Sequence, residues 1–135
     1  MTRANDVSES TFQRRAMEAI GSDSRYRVWR QLNGQMYRRV GPPPERECWC
    51  RTKYVPVTLG PPNGAADGTG AVLGSGRRLE VEFKSESGRL SEDQENWQSQ
   101  VKAWGCVHLV AKYDEKMSMK DNVTRVMRDL EEACR

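Results

Sequence analysis

The 135-residue chain predicts an α/β fold, a mixed β-sheet flanked by helices. Two observations lead there. Helical and strand periodicities alternate along the sequence as helix, β-meander, helix, strand, helix, the order of an α/β or α+β sandwich. Within it, Arg78–Lys84 alternates strictly, with Leu79, Val81 and Phe83 on one side and Glu80, Glu82 and Lys84 on the other. The length suits one domain with one core.

Taken in order, residues 1–7 are expected to form a flexible N-terminus, and residues 8–135 a single domain. Ser8 or Ser10 caps a first helix running to about Ile20, with Phe12, Ala16 and Ile20 spaced by four along one face. Arg25–Gln31 alternates as a strand, Asn33-Gly34 signals a tight turn, and Gln35–Val40 is its returning strand. Gly41-Pro-Pro-Pro44 breaks the chain, Glu47–Val57 is a further strand candidate, and Gly60-Pro-Pro-Asn-Gly64 breaks it again. Gly68–Leu73 and Arg78–Lys84 are strands around a Gly-rich turn. Ser91-Glu-Asp-Gln94 reads as a capping box opening a helix to about Trp104, with Leu90, Gln94, Trp97, Val101 and Trp104 on its inner face. Cys106–Ala111 is a compact apolar strand. Asp121 caps a last helix whose stripe is Val123, Val126, Met127 and Leu130.

Net charge is only +3, yet Ser24–Val40 holds Arg25, Arg27, Arg30, Arg38 and Arg39 with no acidic residue. Segregated arginine points to a polyanion-facing side, because guanidinium grips phosphate bidentately; the simpler alternative is a solvated face. No run approaches the ~20 apolar residues of a membrane span, and no apolar signal core opens the chain. Mean hydropathy is −0.84. Four cysteines without a leader imply reduced thiols, so the expectation is a cytoplasmic protein with no membrane partner.

Glu80, Glu82 and Lys84 are unusual on a strand otherwise built for burial. Neighbours two apart lie ~6.5–7 Å apart, so their side chains can converge on one site. Burying three charges costs several kcal/mol each unless compensated, and a divalent cation would compensate. Mg2+ takes one or two carboxylates and leaves its remaining positions to water and phosphate oxygens. The plain alternative is an amphipathic strand with one wet face.

The setting adds to this. Asp67 precedes a short strand, a Gly-rich turn follows, and Glu82-x-Lys84 closes the next strand. This Asp…Glu-x-Lys order resembles the core of the PD-(D/E)XK, restriction-endonuclease-like fold. The continuation Gly88-Arg-Leu-Ser91, Gln94 on the next helix, and Gly105 before an apolar strand is similar to the VRR-NUC family of that superfamily. Glu9…Gln13 and Val28-Trp-Arg30 before Asn33-Gly34 are similar to its opening elements. The resemblance spans roughly Ser8–Ala111, with an unmatched insertion at about 39–62, and is specific from Asp67 to Ala111. One departure is Glu80, where the family usually has a neutral residue. Glu80 ligands a second metal, pairs with a basic neighbour or faces solvent, and the sequence leaves the three open.

The resemblance implies a Mg2+- or Mn2+-dependent DNA endonuclease hydrolysing phosphodiester bonds. Asp67, Glu82 and the Phe83 carbonyl would hold the metal. Lys84 would activate water or stabilise the transition state. Glu9 would orient the water shell or simply complement the helix dipole. Gln94 would steady Lys84 or the water, or close the capping box. Arg25, Arg27, Arg30, Arg38, Arg39 and Arg89 would grip phosphates without reading bases. The family's small stand-alone, phage-type members resemble Holliday junction resolvases, which implies branched DNA, a homodimer with two sites, and a bacterial or phage-infected host cell. Tyr37, Trp49 and Tyr54 are candidate interface aromatics.

Three rivals stand beside this reading: a flap- or end-directed nuclease, a non-catalytic DNA-binding protein keeping the fold, and a structural homodimer with a charged face. A zinc module from Cys48-x-Cys50 and Cys106-x-His108 is disfavoured, since those spacings are not zinc knuckles.

Overall fold

The computed structural model describes residues 4–31, 34–40, 53–59 and 61–135, with side chains described for 9–31 and 61–135. The chain forms two compact units, Met1–Gln31 with Pro62–Arg135, and Leu32–Pro61.

The larger unit is mixed α/β. Helix α1 (Ala4–Ser22) leads into β1 (Tyr26–Arg30). After the smaller unit, which holds β2 (Gly34–Val40) and β3 (Lys53–Leu59), come β4 (Gly68–Val72), β5 (Arg78–Lys84), α2 (Glu92–Ala103), β6 (Val107–Lys112) and α3 (Met119–Ala133). The four-stranded sheet has the order β1-β4-β5-β6, antiparallel except for the parallel pair β5–β6 made across α2. Strand β5, with its acidic face, is therefore central.

Three expectations about local structure change. Strand β2 is not the return of β1: β1 pairs with β4 and β2 with β3. The Asn33-Gly34 signal is local, whereas the partner of β1 lies some forty residues along the chain, where Gly70 lets the two backbones close up. A Cβ at Gly70 would sit 1.8 Å from the Arg27 carbonyl oxygen. Helix α1 begins at Ala4, before either serine. Helix α3 is capped by Ser118, whose hydroxyl accepts from the Asp121 N–H at 3.0 Å; Asp121 is already inside the first turn.

The core follows the alternation. Leu79, Val81 and Phe83 join Val107, Leu109 and Ala111 on one face, beneath Phe12, Ala16 and Ile20 of α1 and Val126 and Leu130 of α3. Phe12 meets Phe83 edge-on at 5.8 Å and Tyr113 at 5.3 Å. Asn122, fully buried, ties the loop before α3 with bonds to the Asp114 N–H and carbonyl, both 2.9 Å. On the other face Trp97 and Val101 of α2 pack with Ala65 and Cys106. Trp104, expected on that inner face, is instead 60% exposed at the end of α2, edge-on to Trp97. No helix among the described residues is long and apolar enough to cross a membrane.

Candidate active site

The sheet face opposite the main core carries Glu80 and Glu82, both buried. An expectation of one wet face does not hold here, because α2 lies across it. Burial of two carboxylates demands partners, and each has a different set.

Glu82 belongs to a cluster. Gly68 pairs with Val81 across β4–β5, so Asp67, one residue before β4, comes opposite Glu82 on the same face. Asp67 Oδ2 accepts from the Phe83 N–H at 2.9 Å, supplying the bond that β4 is too short to make. Glu82 Oε1 lies 3.1 Å from Lys84 Nζ and accepts from Gln94 Nε2 at 2.7 Å. Gln94 Oε1 in turn accepts from Lys84 Nζ at 2.8 Å. Lysine, glutamate and glutamine thus close a three-membered ring of contacts. Gln94 also completes the capping box with Ser91, its Oε1 accepting from the Ser91 N–H at 2.9 Å and its N–H donating to Ser91 Oγ at 3.2 Å. The two roles open for Gln94 in the sequence hold together.

Burial pushes the Glu82 carboxyl above its usual range, and the nearby Asp67 carboxylate pushes it further; Lys84 pulls it back in part. Two repelling carboxylates with one lysine are a donor set short of positive charge. A hard divalent cation supplies that charge, and Mg2+ needs only one or two carboxylates. Among the described residues, no group of three or more His, Cys, Asp or Glu comes together as metal ligands.

Glu80 takes the second of its three alternatives. Its Oε2 accepts from Trp97 Nε1, and its Oε1 lies 2.6 Å from Arg78 Nη2, whose guanidinium reaches over the Trp97 ring. The Arg78 contact falls outside hydrogen-bond geometry, leaving Oε1 formally unbonded; at 2.6 Å between opposite charges it is an ion pair all the same. Beside Glu80 on β6 sits His108, whose burial lowers its pKa and whose Nδ1 contacts Gln98 Nε2 at 3.3 Å. Cys48 and Cys50 lie outside the described residues.

The remaining predicted residues are dispersed. Glu9 is half-buried on α1, and among the described residues no hydrogen bond or ion pair joins it to Asp67, Glu82 or Lys84. Arg25 is committed to Asp23, with contacts of 2.9 and 3.1 Å, to Glu131 at 3.6 Å and to the Tyr26 ring; its guanidinium holds the Asp23 carboxyl down to about 2. Arg27, Arg30 and Arg89 are exposed, but Arg27 and Arg30 occupy opposite faces of β1, so the described arginines of that strand do not form one surface. The side chains of Arg38 and Arg39, like those of Tyr37, Trp49 and Tyr54, lie outside the described ones.

Sequence reasoning missed Gln31. Its N–H donates to the Asp67 carbonyl at 2.8 Å, placing it beside Asp67 at the end of β1, and its Nε2 is buried without a partner among the described residues. A glutamine after a strand carries no signal by itself; only the pairing with β4 brings it to the cluster. The groove between α1 and β1, whose lining includes Gln13, Met17, Val28, Trp29 and Arg30, includes no member of the cluster. No protein-family model matches the chain, and no curated protein sequence matches it.

Proposed function

We propose that the chain is a metal-dependent DNA endonuclease with a PD-(D/E)XK-type core of the VRR-NUC kind, acting on branched DNA in the manner of a junction resolvase. The observation that carries this reading is the meeting of Asp67 and Glu82 across β4–β5, with Lys84 tied to Glu82 directly and through Gln94. An acid pair short of positive charge beside a fixed ammonium suits metal-assisted phosphodiester hydrolysis.

Asp67, Glu82 and the Phe83 carbonyl would hold Mg2+ or Mn2+, which when bound supplies charge neutralisation at the phosphate and a more acidic water. Hydrolysis adds water oxygen to phosphorus, breaks one P–O ester bond and returns a proton to the leaving oxygen. Lys84 offers Nζ–H to the incoming water or to a non-bridging phosphate oxygen as charge builds there. Gln94 keeps Nζ aimed by holding it at 2.8 Å, and it keeps Glu82 in place with its other end. Glu80, with Arg78 and Trp97 as partners, stands outside this chemistry. Of the six arginines expected to grip phosphate, Arg27, Arg30 and Arg89 are exposed with no ion pair among the described residues. Cutting both strands of a junction needs two such sites, which a homodimer supplies.

The test is cleavage of labelled four-way junction, flap and linear duplex DNA with Mg2+, Mn2+ or EDTA, alongside Glu82→Gln and Lys84→Ala. Metal-dependent cutting lost in both variants supports the reading, and the preferred substrate separates resolvase from flap- or end-directed enzyme. Salt-sensitive binding without cutting under any metal assigns a non-catalytic DNA-binding role. Absence of binding at low salt leaves a structural homodimer.

A further inference from the structure

Resting on the nuclease reading, we propose that the open part of the acidic sheet face, along β1, seats an unpaired stretch of DNA beside the cut position, with Trp29 stacking on an exposed base and Arg27 holding a phosphate. Tyr26 and Val28 pack into the main core, so Arg27 and Trp29 project from the opposite face, the one that carries Glu80 and Glu82. Cross-strand register makes the placement definite. Trp29 pairs with Thr69 and Thr69 with Glu80, while Asp67 and Glu82 lie in the next row. Two strand spacings, about 10 Å, therefore separate β1 from the acidic strand.

Among the described residues, helix α2 reaches that face at Glu80 and Glu82 and nothing covers it over β1, where Trp29 is 59% exposed and Arg27 is exposed with no ion pair. Thr69 and Ala71 beside them are small, leaving room for a flat base against the indole. Leu73, at the far end, is the only other large apolar side chain exposed on this part of the described face. Among the described residues that apolar patch is small for the centre of a dimer interface, since a whole tryptophan buries ~150–250 Å2 and a stable interface covers ~800 Å2 per partner. An aromatic platform with an unpaired arginine next to it fits a single strand better, since every base offers a π-face and every nucleotide a phosphate. The inference narrows the substrate class to DNA with unpaired nucleotides next to the scissile bond, as at a branch point or a frayed end.

The experiment measures fluorescence anisotropy of a short labelled oligothymidylate and of a blunt duplex, with Ca2+ replacing Mg2+ so that binding is read without cutting. The full chain is compared with Trp29→Ala and Trp29→Phe, all checked for equal thermal melting and by sedimentation. Trp29→Ala is expected to weaken oligothymidylate binding by roughly 5- to 150-fold, the range for one stacked base, with Trp29→Phe retaining most affinity and the duplex little affected. Equal loss on both DNAs, or no loss on either, overturns the platform. A dimer in the unchanged chain that becomes a monomer in Trp29→Ala overturns it too, giving the face to a second copy. Cleavage in Mg2+, run separately, distinguishes the two levels. Active enzyme with an indifferent Trp29 defeats only this inference, and inactive protein with a Trp29 effect defeats only the nuclease reading.

Discussion

Trp97 Nε1 donates to Glu80 Oε2, joining helix α2 to strand β5 through a buried polar pair. Gln94 is one helical turn before Trp97, and Glu82 is one strand repeat after Glu80. With the first pair fixed, the second pair must meet, and Gln94 Nε2 does reach Glu82 Oε1 at 2.7 Å. Glu80 thus works in register with Glu82: Trp97 and Gln94, one helical turn apart, meet two carboxylates one strand repeat apart.

Trp97→Phe should expose the value of that bond. The ring still fills the space, but a carboxylate with no exposure loses its donor. A loss of about 2–4 kcal/mol in urea unfolding is expected, since stranding a buried charged acceptor costs more than the bond itself contributes. Glu80→Gln should cost about 1 kcal/mol, because the amide oxygen still accepts from the indole and Arg78, 44% exposed, returns to water. Equal losses in the two variants would contradict the argument.

Gln94 serves cap and site at once, and two substitutions separate the roles. Gln94→Leu removes both, so stability should fall by about 1 kcal/mol and cleavage by about 10–100-fold, the usual effect of losing a support behind a metal ligand. Gln94→Glu keeps acceptors for Ser91 and Lys84 but loses the donor to Glu82 and adds a like charge. The cap is kept but the fit at Glu82 is lost, so melting should stay below that of the unchanged chain and cleavage should stay low. Full activity in Gln94→Glu would show that the link to Glu82 is dispensable.

The raised Glu82 pKa gives a stability slope of defined sign. Folding without a cation holds a proton on Glu82 at pH values where the unfolded chain has released it. That contribution is complete below the ordinary value of 4.5 and is lost as pH climbs through the higher folded value. Melting of the metal-free chain should therefore decline above pH 4.5. Asp23, held down to about 2, contributes the reverse, a stability lost only in strong acid. Glu82→Gln should flatten the decline above 4.5, and added Mg2+ should offset it by favouring the carboxylate. A slope unchanged in Glu82→Gln would place its origin elsewhere.

Much of this was legible in the sequence because it is local. The alternation of Leu79–Lys84, the Ser91–Gln94 box and the four-residue spacing of Phe12, Ala16 and Ile20 all act within a few residues, and each appears in the structure. What was not legible is non-local. Arg25 is the local exception: Asp23, just outside the arginine-rich stretch, takes its guanidinium at 2.9 and 3.1 Å, and Glu131 of α3 adds only a longer contact at 3.6 Å. Glu80 reads as one of three equivalent charges until α2 settles Trp97 over it. Gln31 has no signal at all before β1 pairs with β4.

Gly64 offers a last test, of how Asp67 is placed. Its φ is +84°, and a Cβ there would lie 2.2 Å from the Asp93 carbonyl oxygen in the first turn of α2. The loop that delivers Asp67 three residues later thus rests directly on the helix that delivers Gln94. Gly64→Ala must both strain the backbone and lift the loop, at a cost of about 1–3 kcal/mol. Because the lift separates Asp67 from Glu82, Mg2+ binding read by calorimetry should weaken beyond what the stability loss explains. Gly74→Ala is the matched control: its φ is +94°, a Cβ there meets open space, and it lies in the β4–β5 turn away from the cluster. It should lose comparable backbone stability with Mg2+ affinity intact. Equal Mg2+ affinity in both variants would mean that Asp67 keeps its place by its bond to the Phe83 N–H, independent of the loop.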